Sequence, residues 1–308
     1  MECVLLGTGG MMPMNYRFLT ALIVRHNGFN YLFDAGEATQ IGFKATRVGV
    51  KALRVIAISH LHADHCLGIP GILMLRAQVE QPDPLTILGP PNIEKFVGQT
   101  RQILDFNINY DLHFIEWNPE RPEVAYENDM LKIIWAPLKH STFCLGYRLE
   151  EKPRPGKFEL QAAQSLGIPP GPFYGKLQRG ESITLPDGRQ IRPEQVLGKP
   201  RRGRTIAFVV DTEPTPNIYR LCDKADIAFI EGMYLPDMAD EARAKQHMTV
   251  DDGSRIAARS HVQRAVLIHI SPRYKAGELH ELEKIAKNRF DKAEMGVDFG
   301  RYHITLPD

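Results

Sequence analysis

The chain has 308 residues, of which 43% are hydrophobic and 24% are charged, close to the averages of globular proteins. These proportions exclude a fibrous or mainly disordered chain, and the length allows either one large domain or two smaller ones. Lysine and arginine number 38 against 37 aspartate and glutamate residues, so the overall charge indicates no polyanionic partner.

Several sequence features bear on the compartment in which the chain works. The residues after Met1 include neither a basic region nor a long apolar run with a cleavage site, so we expect no secretory signal. No apolar run approaches the length of a membrane span, and membrane association is not expected. The four cysteines are far apart and form no C-x-x-C pair, which favours a reducing environment. The sequence therefore predicts a cytoplasmic protein.

Strands and helices alternate along most of the chain. Short apolar or β-branched runs, bounded by glycine, proline or charged residues, predict nine strands, at residues 3–6, 20–24, 31–34, 55–59, 86–88, 131–135, 206–210, 227–230 and 265–269. Helical spacing of apolar residues predicts three helices, at residues 92–104, 251–260 and 278–288. Most of the strands are apolar on both faces, so we expect sheets covered by helices, in an α/β fold.

One segment, Glu151–Arg204, differs in composition from the rest of the chain. Its 54 residues contain eight of the 22 prolines and eight of the 25 glycines, and its eleven Lys and Arg residues exceed its five Asp and Glu residues. This proline and glycine content predicts no regular helix, but residues 181–185 and 189–192 flank a turn at Asp187 and Gly188 and predict a small hairpin. On composition alone, a disordered linker between two domains is an equal alternative.

The most specific motif is H-x-H-x-D-H, which directly follows the predicted strand 55–59. In a tight loop that leaves a strand, alternate residues point the same way. His60 and His62 can therefore hold one metal ion while Asp64 and His65 turn towards another. Neutral imidazoles and carboxylates are suitable ligands of Zn²⁺. The motif thus predicts a site for two metal ions.

Two metal ions need further ligands from elsewhere in the chain. His140, Asp211 and His269 each lie at or shortly after the end of a buried run, where a ligand-bearing loop would emerge. Taken alone, each residue is more often an ordinary polar or capping residue. In company with the H-x-H-x-D-H motif, we interpret all three as candidate ligands.

This ordered set of residues resembles the metallo-β-lactamase superfamily, whose fold is an αββα sandwich with a two-metal site along one edge. Further stretches are similar to the ribonuclease Z family within it, whose members are endonucleases that trim the 3′ trailer from precursor tRNA. These stretches are L-G-T-G at 6–9, F-D-A-G-E-A-T-Q at 33–40, G-I-P-G at 68–71, G-Y-R at 146–148, P-P-G-P at 169–172 and H-I-S-P-R-Y at 269–274. The resemblance implies one domain over residues 1–308, with Glu151–Arg204 inserted as a flexible tRNA-binding arm.

The resemblance also implies a cofactor of two zinc ions per chain, with manganese as the alternative metal. Two such ions activate water at neutral pH and neutralise charge that develops on phosphate oxygens. The implied ligands are His60, His62 and His140 for one ion, Asp64, His65 and His269 for the other, and Asp211 as a bridge between them.

Other roles follow from the same resemblance. His247 occupies the position of the family's catalytic histidine and would donate a proton to the leaving 3′-oxygen, while Glu231 would orient it. Asp64 could also accept the proton of the attacking water. The products would be a tRNA with a 3′-hydroxyl and a trailer with a 5′-phosphate, and the resemblance suggests a homodimer. The implied substrate contacts are Ser271 and Arg273 near the C-terminus, and Pro170, Gly171 and Pro172 in the arm.

Two other function classes remain open on the residues alone. One is a different hydrolase of the superfamily, acting on a small phosphodiester, sulfate ester or thioester, and only the arm argues against it. The other is a non-catalytic RNA-binding protein, which the complete set of seven ligands disfavours. The loop at residues 13–18 only partly resembles the family's P-x-K-x-R-N loop for the tRNA 3′ end, since Asn15 and Phe18 replace its Lys and Asn.

Overall fold

Two seven-stranded β-sheets form the centre of the fold in the computed structural model, which describes residues 1–307. The strands of the first sheet are β1 (Glu2–Gly7), β2 (Ala21–His26), β3 (Phe29–Phe33), β4 (Leu53–Ala57), β5 (Leu85–Gly89), β6 (Leu112–Glu116) and β16 (Arg301–His303). Their order across the sheet is β16-β1-β2-β3-β4-β5-β6. Strands β3 to β6 run parallel, whereas β16, β1, β2 and β3 pair antiparallel.

The second sheet is built largely from the second half of the chain. Its strands are β7 (Val124–Glu127), β8 (Leu131–Leu138), β9 (Cys144–Glu151), β12 (Thr205–Val209), β13 (Ile227–Glu231), β14 (Ala265–Ile268) and β15 (Ala293–Met295). They follow the order β15-β14-β13-β12-β9-β8-β7. Strands β12 to β15 run parallel, so their carboxyl ends lie at one edge of the sheet.

Helices pack on the outer face of each sheet. Buried side chains of α1, α3 and α4 form one core cluster with the first sheet, and those of α7, α9 and α10 form another with the second sheet. The layers are therefore helix, sheet, sheet and helix, which confirms the predicted αββα architecture. The helices are α1 (Thr39–Thr46), α2 (Ala63–Cys66), α3 (Gly68–Arg76), α4 (Ile93–Ile103), α5 (Leu160–Ser165), α6 (Pro172–Gln178), α7 (Pro216–Cys222), α8 (Ala239–Ala244), α9 (Val250–Arg259) and α10 (Leu279–Arg289).

The period of two along each strand explains why the central strands are apolar throughout. In β1, Cys3 and Leu5 belong to the core cluster between the two sheets, whereas Val4 and Leu6 belong to the cluster under the helices. Successive side chains of a strand point to opposite faces of its sheet, so a strand covered on both faces needs apolar residues at every position. Such runs are visible in the sequence.

All nine predicted strands and all three predicted helices are present, with ends that differ by a few residues. Five further strands of the two large sheets are not predicted from the sequence, namely β6, β7, β9, β15 and β16. Strands β6, β7 and β16 lie at or near sheet edges and are only partly buried, and β15 has three residues. Edge strands carry polar side chains and lack the apolar run that identifies a central strand.

Residues Glu151–Arg204, with Leu306 and Pro307, form a compact unit of their own. Strands β10 (Ile183–Thr184) and β11 (Gln190–Ile191) form the predicted hairpin. The expectation of no regular helix is wrong, because α5 contains neither proline nor glycine and α6 begins at Pro172, in the first turn, where a helix tolerates proline. The unit has an apolar core of Ala163, Ile168, Leu177, Ile183, Leu185, Ile191 and Val196, which a disordered linker would lack.

The cysteines and the helices bear on the expected environment. All four cysteines are free and buried, and burial raises the pKa of the Cys222 thiol to about 12. Burial of this kind makes a thiol unreactive. Among residues 1–307, no helix is both long and apolar enough to cross a membrane.

Candidate metal centre

The candidate functional side chains lie where strands of both sheets end. Asp34 follows β3, Ser59 and the H-x-H-x-D-H motif follow β4, Asp211 follows β12, and His269 follows β14. Asp34, Asp211 and His269 each have a positive φ, of 56°, 52° and 58°. Residues other than glycine rarely adopt this left-handed conformation, and those that do are concentrated at functional sites. At each of the three positions the chain turns sharply as it leaves the strand.

All seven side chains expected to bind metal come together at this edge. One group consists of His60, His62, His140 and Asp211, and another of Asp64, His65 and His269, with the candidate ligand atoms of each group within 4.8 Å of one another.

Asp211 lies between the two groups. Its Oδ2 is 3.4 Å from His60 Nε2 and 3.6 Å from His140 Nε2, and its Oδ1 is 2.9 Å from His269 Nε2. The two carboxylate oxygens therefore face ligands of both groups. This is the position that a bridging carboxylate would occupy.

Hydrogen bonds on the outer side of the site orient the imidazoles. Asp34 Oδ2 is 2.7 Å from His65 Nδ1 and accepts a hydrogen bond of 2.8 Å from the Ser59 hydroxyl. The Ser59 oxygen in turn lies 3.0 Å from His60 Nδ1. His140 Nδ1 is 3.2 Å from the carbonyl oxygen of Gln246. With Nδ1 as the donor in each ring, the lone pair of Nε2 points into the site, as a metal ligand requires.

The donor set fits a divalent metal ion. His60 Nε2 is a buried polar atom that, among the described residues, lacks a hydrogen-bond partner. A buried polar atom without a partner costs free energy, and such atoms are expected where a ligand binds. Imidazole nitrogens and carboxylate oxygens at these separations match the ligand preference of zinc.

The pKa values of the site's side chains depend on their burial and on the carboxylates that lie beside the imidazoles. Burial lowers the pKa of His60 far below its usual range. Burial opposes the charged form of His65 and His269 as well, but Asp211 raises the pKa of both rings well above the usual range. Burial likewise disfavours the charged carboxylate of Asp64, yet its hydrogen bonds with His269 and His65 lower its pKa. The carboxylates thus require neighbouring positive charge, which protons or metal ions supply.

His247 and Glu231 form a pair next to the metal ligands. His247 Nδ1 is 2.5 Å from Glu231 Oε1, and Glu231 Oε2 accepts hydrogen bonds from the backbone N–H groups of Thr212 and Met248. Burial disfavours the charged form of both groups, but each stabilises the other, so the pKa of His247 is raised and that of Glu231 is lowered. With Nδ1 engaged, Nε2 is the atom of His247 available for proton transfer.

An open cavity of about 410 Å³ gives access to this site. Six of its lining residues are predicted site residues, namely His62, Asp64, His140, Asp211, His247 and His269. Met11, Ser141 and Lys245 line it too and are not predicted from the sequence. Lys245 Nζ bonds Glu241 at 2.8 Å. No short motif marks these three residues, since each reaches the cavity only through the tertiary fold.

The predicted substrate contacts lie outside this cavity lining. The Ser271 carbonyl accepts a hydrogen bond from Arg17, and Arg273 pairs with Glu241 at 3.1 Å. Pro170, Gly171 and Pro172 are exposed and precede or begin α6 in the Glu151–Arg204 unit. Gly171 has a φ of 132° and a ψ of −143°, a conformation that essentially only glycine adopts.

Asp34 and Ser59 hydrogen-bond to the candidate ligands but are not singled out as site residues from the sequence. From the sequence, Asp34 is noted only within the F-D-A-G-E-A-T-Q stretch, and Ser59 only as the last residue of the predicted strand 55–59. A sequence signal for both residues does exist, because each is a polar residue just after the carboxyl end of an apolar strand. These two strands, β3 and β4, are parallel neighbours. Polar residues at adjacent strand ends are expected to meet.

Comparisons with known proteins agree with this architecture. A family model described as Anti-Pycsar protein Apyc1 matches residues 1–99. The short form of human tRNase Z superposes with a TM-score of 0.73 at 20% identity, covering 99% of this chain and 100% of that chain. A metallo-beta-lactamase fold protein, YhfI from Bacillus subtilis, gives a TM-score of 0.68 at 16% identity, covering 98% of this chain and 99% of that chain. The molecule is thus a metallo-β-lactamase-fold protein with a metal-binding site.

Relatives in sequence define the branch of this class. Ribonuclease Z of Treponema denticola is 40% identical over 306 residues, which are 99% of this chain and 98% of that protein. Ribonuclease Z of Treponema pallidum strain Nichols is 40% identical over 298 residues, 97% of this chain and 96% of that protein. The chain belongs to the ribonuclease Z family.

Proposed function

We propose that this protein is a zinc-dependent endoribonuclease that removes the 3′ trailer from precursor tRNA and leaves a 3′-hydroxyl on the tRNA and a 5′-phosphate on the trailer. The observation that carries the proposal is the convergence of seven imidazole and carboxylate side chains where strands of the two sheets end. Membership of the ribonuclease Z family supports the choice of an RNA substrate.

The geometry supports an assignment of the seven side chains to two ions. His60, His62 and His140 would hold one zinc ion, and Asp64, His65 and His269 the other, with Asp211 shared between them. Zinc ions, when bound, make water more acidic and offset the negative charge that develops on phosphate oxygens. The hydrogen bonds from Asp34 and Ser59 would keep the imidazoles in the tautomer that binds metal.

Proton transfer would fall to two side chains that line the cavity. Asp64 would accept a proton from the attacking water, since its side chain lines the cavity. His247 would deliver a proton from Nε2 to the leaving 3′-oxygen of the ribose, because Nδ1 is held by Glu231. Glu231 acts through His247 and is a positioning residue.

The Glu151–Arg204 unit would bind the body of the substrate. Three of its five acidic residues already pair with arginines inside the unit, through Arg204 with Glu151, Arg179 with Glu181 and Arg189 with Asp187. Exposed cations remain for contact with a polyanion, among them Lys157, Lys176, Arg192 and Lys199. Phosphate contacts of this kind supply much of the affinity of a protein for RNA.

A deletion tests the RNA proposal. The backbones at the two ends of residues 156–199 lie side by side, since the Gly198 N–H donates to the Lys157 carbonyl at 2.9 Å. Residues 156–199 can therefore be replaced by a short Gly-Ser linker. We expect the shortened protein to hydrolyse bis(p-nitrophenyl) phosphate at the wild-type rate and to cleave a precursor tRNA transcript with a much higher KM.

Wild-type binding of precursor tRNA should fall steeply with salt, with a log–log slope of about −0.7 to −0.9 per phosphate contact. Equal cleavage of precursor tRNA by the shortened and intact proteins would contradict the role of the arm. Hydrolysis of small esters, with no cleavage of precursor tRNA by the intact protein, would favour the hydrolase of a small phosphodiester, sulfate ester or thioester. Binding of RNA without cleavage of either substrate would favour a non-catalytic protein.

We also propose that the protein works in the cytoplasm as a homodimer. Ile41 on α1, Leu67 next to α3 and Met74 on α3 are large apolar side chains with exposed fractions of 47%, 48% and 40%. Apolar groups on neighbouring helices are typical of a surface that another protein covers. Light scattering on the wild type and on an Ile41→Glu, Met74→Glu double variant tests this: we expect a dimer and a monomer, respectively.

A further inference from the structure

The loop between β1 and β2, residues 8–20, has an ordered structure. The backbone N–H groups of Thr8 and Gly9 donate to the carbonyl of Phe18 at 3.0 and 2.8 Å, which closes the base of the loop. Nearer the tip, the N–H of Met14 donates to the carbonyl of Arg17 at 2.9 Å. Residues 8–20 are called the β1–β2 loop below.

The β1–β2 loop contacts two of the proposed metal ligands. The N–H of Met11 donates a hydrogen bond of 2.6 Å to Asp64 Oδ2. The imidazole of His269 lies directly against Gly10, where a Cβ atom would come within 2.5 Å of the ring. Asp64 and His269 belong, with His65, to the group that would hold one of the two ions.

Asp298, near the other end of the chain, fastens the base of this loop. Its Oδ1 accepts a hydrogen bond of 2.7 Å from the Thr8 hydroxyl, and its Oδ2 accepts one of 2.6 Å from the Phe18 N–H. The rings of Phe18 and Phe299 pack beside this contact, with their centroids 5.6 Å apart. One carboxylate therefore bonds both ends of the loop.

We propose that Asp298 is a positioning residue for the metal centre: by fixing the base of the β1–β2 loop, it keeps the Met11 amide on Asp64 and Gly10 against His269. The inference rests on the proposed two-ion site and adds a residue that has no contact role in that proposal. Asp298 acts through the loop and neither touches substrate nor binds metal.

Loss of the Asp298 contacts should weaken the binding of mainly one of the two metal ions. If the loop loses its fastening, Asp64 loses the hydrogen bond that fixes the direction of its carboxylate, and His269 loses the surface that limits its rotation. Outer partners of metal ligands contribute roughly 10–100-fold to metal affinity. The ion held by Asp64, His65 and His269 should therefore bind more weakly, while the ion held by His60, His62 and His140 should be affected much less.

Metal affinity tests this inference without an activity assay. Zinc is titrated into the metal-free full chain in competition with a chromophoric chelator, and the two dissociation constants are fitted separately. For Asp298→Ala we expect one constant to rise roughly tenfold or more and the other to stay within about twofold. Asp298→Asn should restore wild-type affinity, because its amide oxygen can accept from the Phe18 N–H while its NH₂ group donates to the Thr8 oxygen.

Controls separate this role from general destabilisation. Asp291→Ala removes an exposed aspartate in the same part of the chain and should change neither constant. If Asp298→Ala shows no cooperative melting transition, Thr8→Val replaces it, since this change removes one of the two bonds at nearly constant volume; we then expect a rise of about threefold in one constant.

Unchanged constants in a folded Asp298→Ala or Thr8→Val protein would overturn the inference, as would an equal rise in both constants. Wild-type protein that binds fewer than two zinc ions would instead contradict the two-ion proposal, and every variant would share that result. The two failures are therefore distinguishable.

Discussion

The orientation of each imidazole at the metal centre depends on a hydrogen bond on its far side. Asp34 serves two ligands at once, His65 directly and His60 through the Ser59 hydroxyl. Asp34 and Ser59 are fully buried, so water does not compete for these bonds. Neither residue would touch the metal, yet together they select the nitrogen that each ring offers.

Ser59→Ala tests this selection. The change removes the hydroxyl between Asp34 and His60 and leaves the His60 ring free to rotate, so we expect zinc affinity to fall by roughly tenfold. Chelator competition measures the loss. Ser182→Ala, which removes an exposed hydroxyl, is the matched control and should have no effect. Wild-type zinc affinity in Ser59→Ala would mean that the hydroxyl has no orienting role.

Removal of the Asp64 side chain and removal of the His247 side chain should affect catalytic activity differently. Asp64→Ala should abolish hydrolysis of every substrate, because it removes a metal ligand and a proton acceptor together. His247→Ala should lower kcat for precursor tRNA by roughly 10²–10⁴-fold, as expected for a lost general acid.

The same His247→Ala variant should hydrolyse bis(p-nitrophenyl) phosphate with a much smaller loss, because p-nitrophenolate leaves without needing a proton. Comparison of kcat for the two substrates, measured on one preparation of protein, checks the assignment. Full activity of His247→Ala on RNA, or equal losses on both substrates, would show that the side chain is not the acid.

The seven proposed ligands could be predicted from the sequence because each lies at or just after the end of an apolar strand or in one dense motif. The Met11 amide could not, since a backbone N–H carries no sequence signal and its bond to Asp64 spans 53 positions. The substrate contact of Arg273 stays a prediction: the motif suggests it, and in the folded chain the Arg273 guanidinium pairs with Glu241, which the sequence does not indicate.

The metal-binding motif depends on close packing between the loop that follows β3 and the loop that follows β4. A Cβ atom on Gly36, after β3, would come within 2.3 Å of the Asp64 carbonyl oxygen, and one on Gly68, at the start of α3, within 2.2 Å of the Gly36 carbonyl oxygen. The backbones that carry Asp34 and Asp64 therefore touch without side chains between them. Glycine is required here by space and not by backbone conformation.

Gly68→Ala should consequently destabilise the protein. The added methyl group cannot fit without movement of backbone, and overpacking of this kind costs about 1–3 kcal/mol in the free energy of unfolding. Gly98→Ala is the matched control, because Gly98 is exposed in the interior of α4 with open space around its Cα, and it should stabilise by about 0.5–1 kcal/mol. Thermal or urea unfolding measures both; equal stability of the two variants would contradict the packing argument.

Strands with an uninterrupted apolar run are predictable, and short strands at sheet edges are not; β9, inside its sheet, is missed because Gly146 and three charged residues interrupt its apolar run. Strand β4 is apolar at nearly every position, so its sequence identifies it without knowledge of its neighbours. Strand β16 has three residues, of which only Tyr302 is buried, and it becomes a strand only because β1 offers unpaired backbone groups beside it. Helix α6 escapes prediction for a different reason, since the proline at its first position is easily interpreted as a helix breaker.

The candidate metal centre joins the two sheets. His60, His62, Asp64 and His65 follow a strand of the first sheet, whereas His140, Asp211 and His269 follow strands of the second. Two bound ions would therefore link both halves of the fold through bonds that the unfolded chain does not make. Metal binding should contribute directly to the free energy of unfolding.

We expect the zinc-loaded protein to contain two zinc ions per chain by elemental analysis. Removal of the metal with a chelator should lower Tm, and a thousandfold excess of free zinc over Kd should restore about 4 kcal/mol of stability. His247→Ala, which leaves all seven ligands in place, should still bind two ions. One zinc ion or none per chain after loading would contradict the prediction.

The position of Asp298 and β16 has a consequence for synthesis. Asp298 lies in the turn before β16, and β16 joins the first sheet, whose other strands all lie within residues 2–116, by pairing with β1. Because Asp298 follows His269 by 29 positions, a nascent chain that has just received its seventh proposed ligand still lacks the carboxylate that fastens the β1–β2 loop. The nascent protein would thus acquire full affinity for its second ion only after residue 298 has been added and has folded onto the loop.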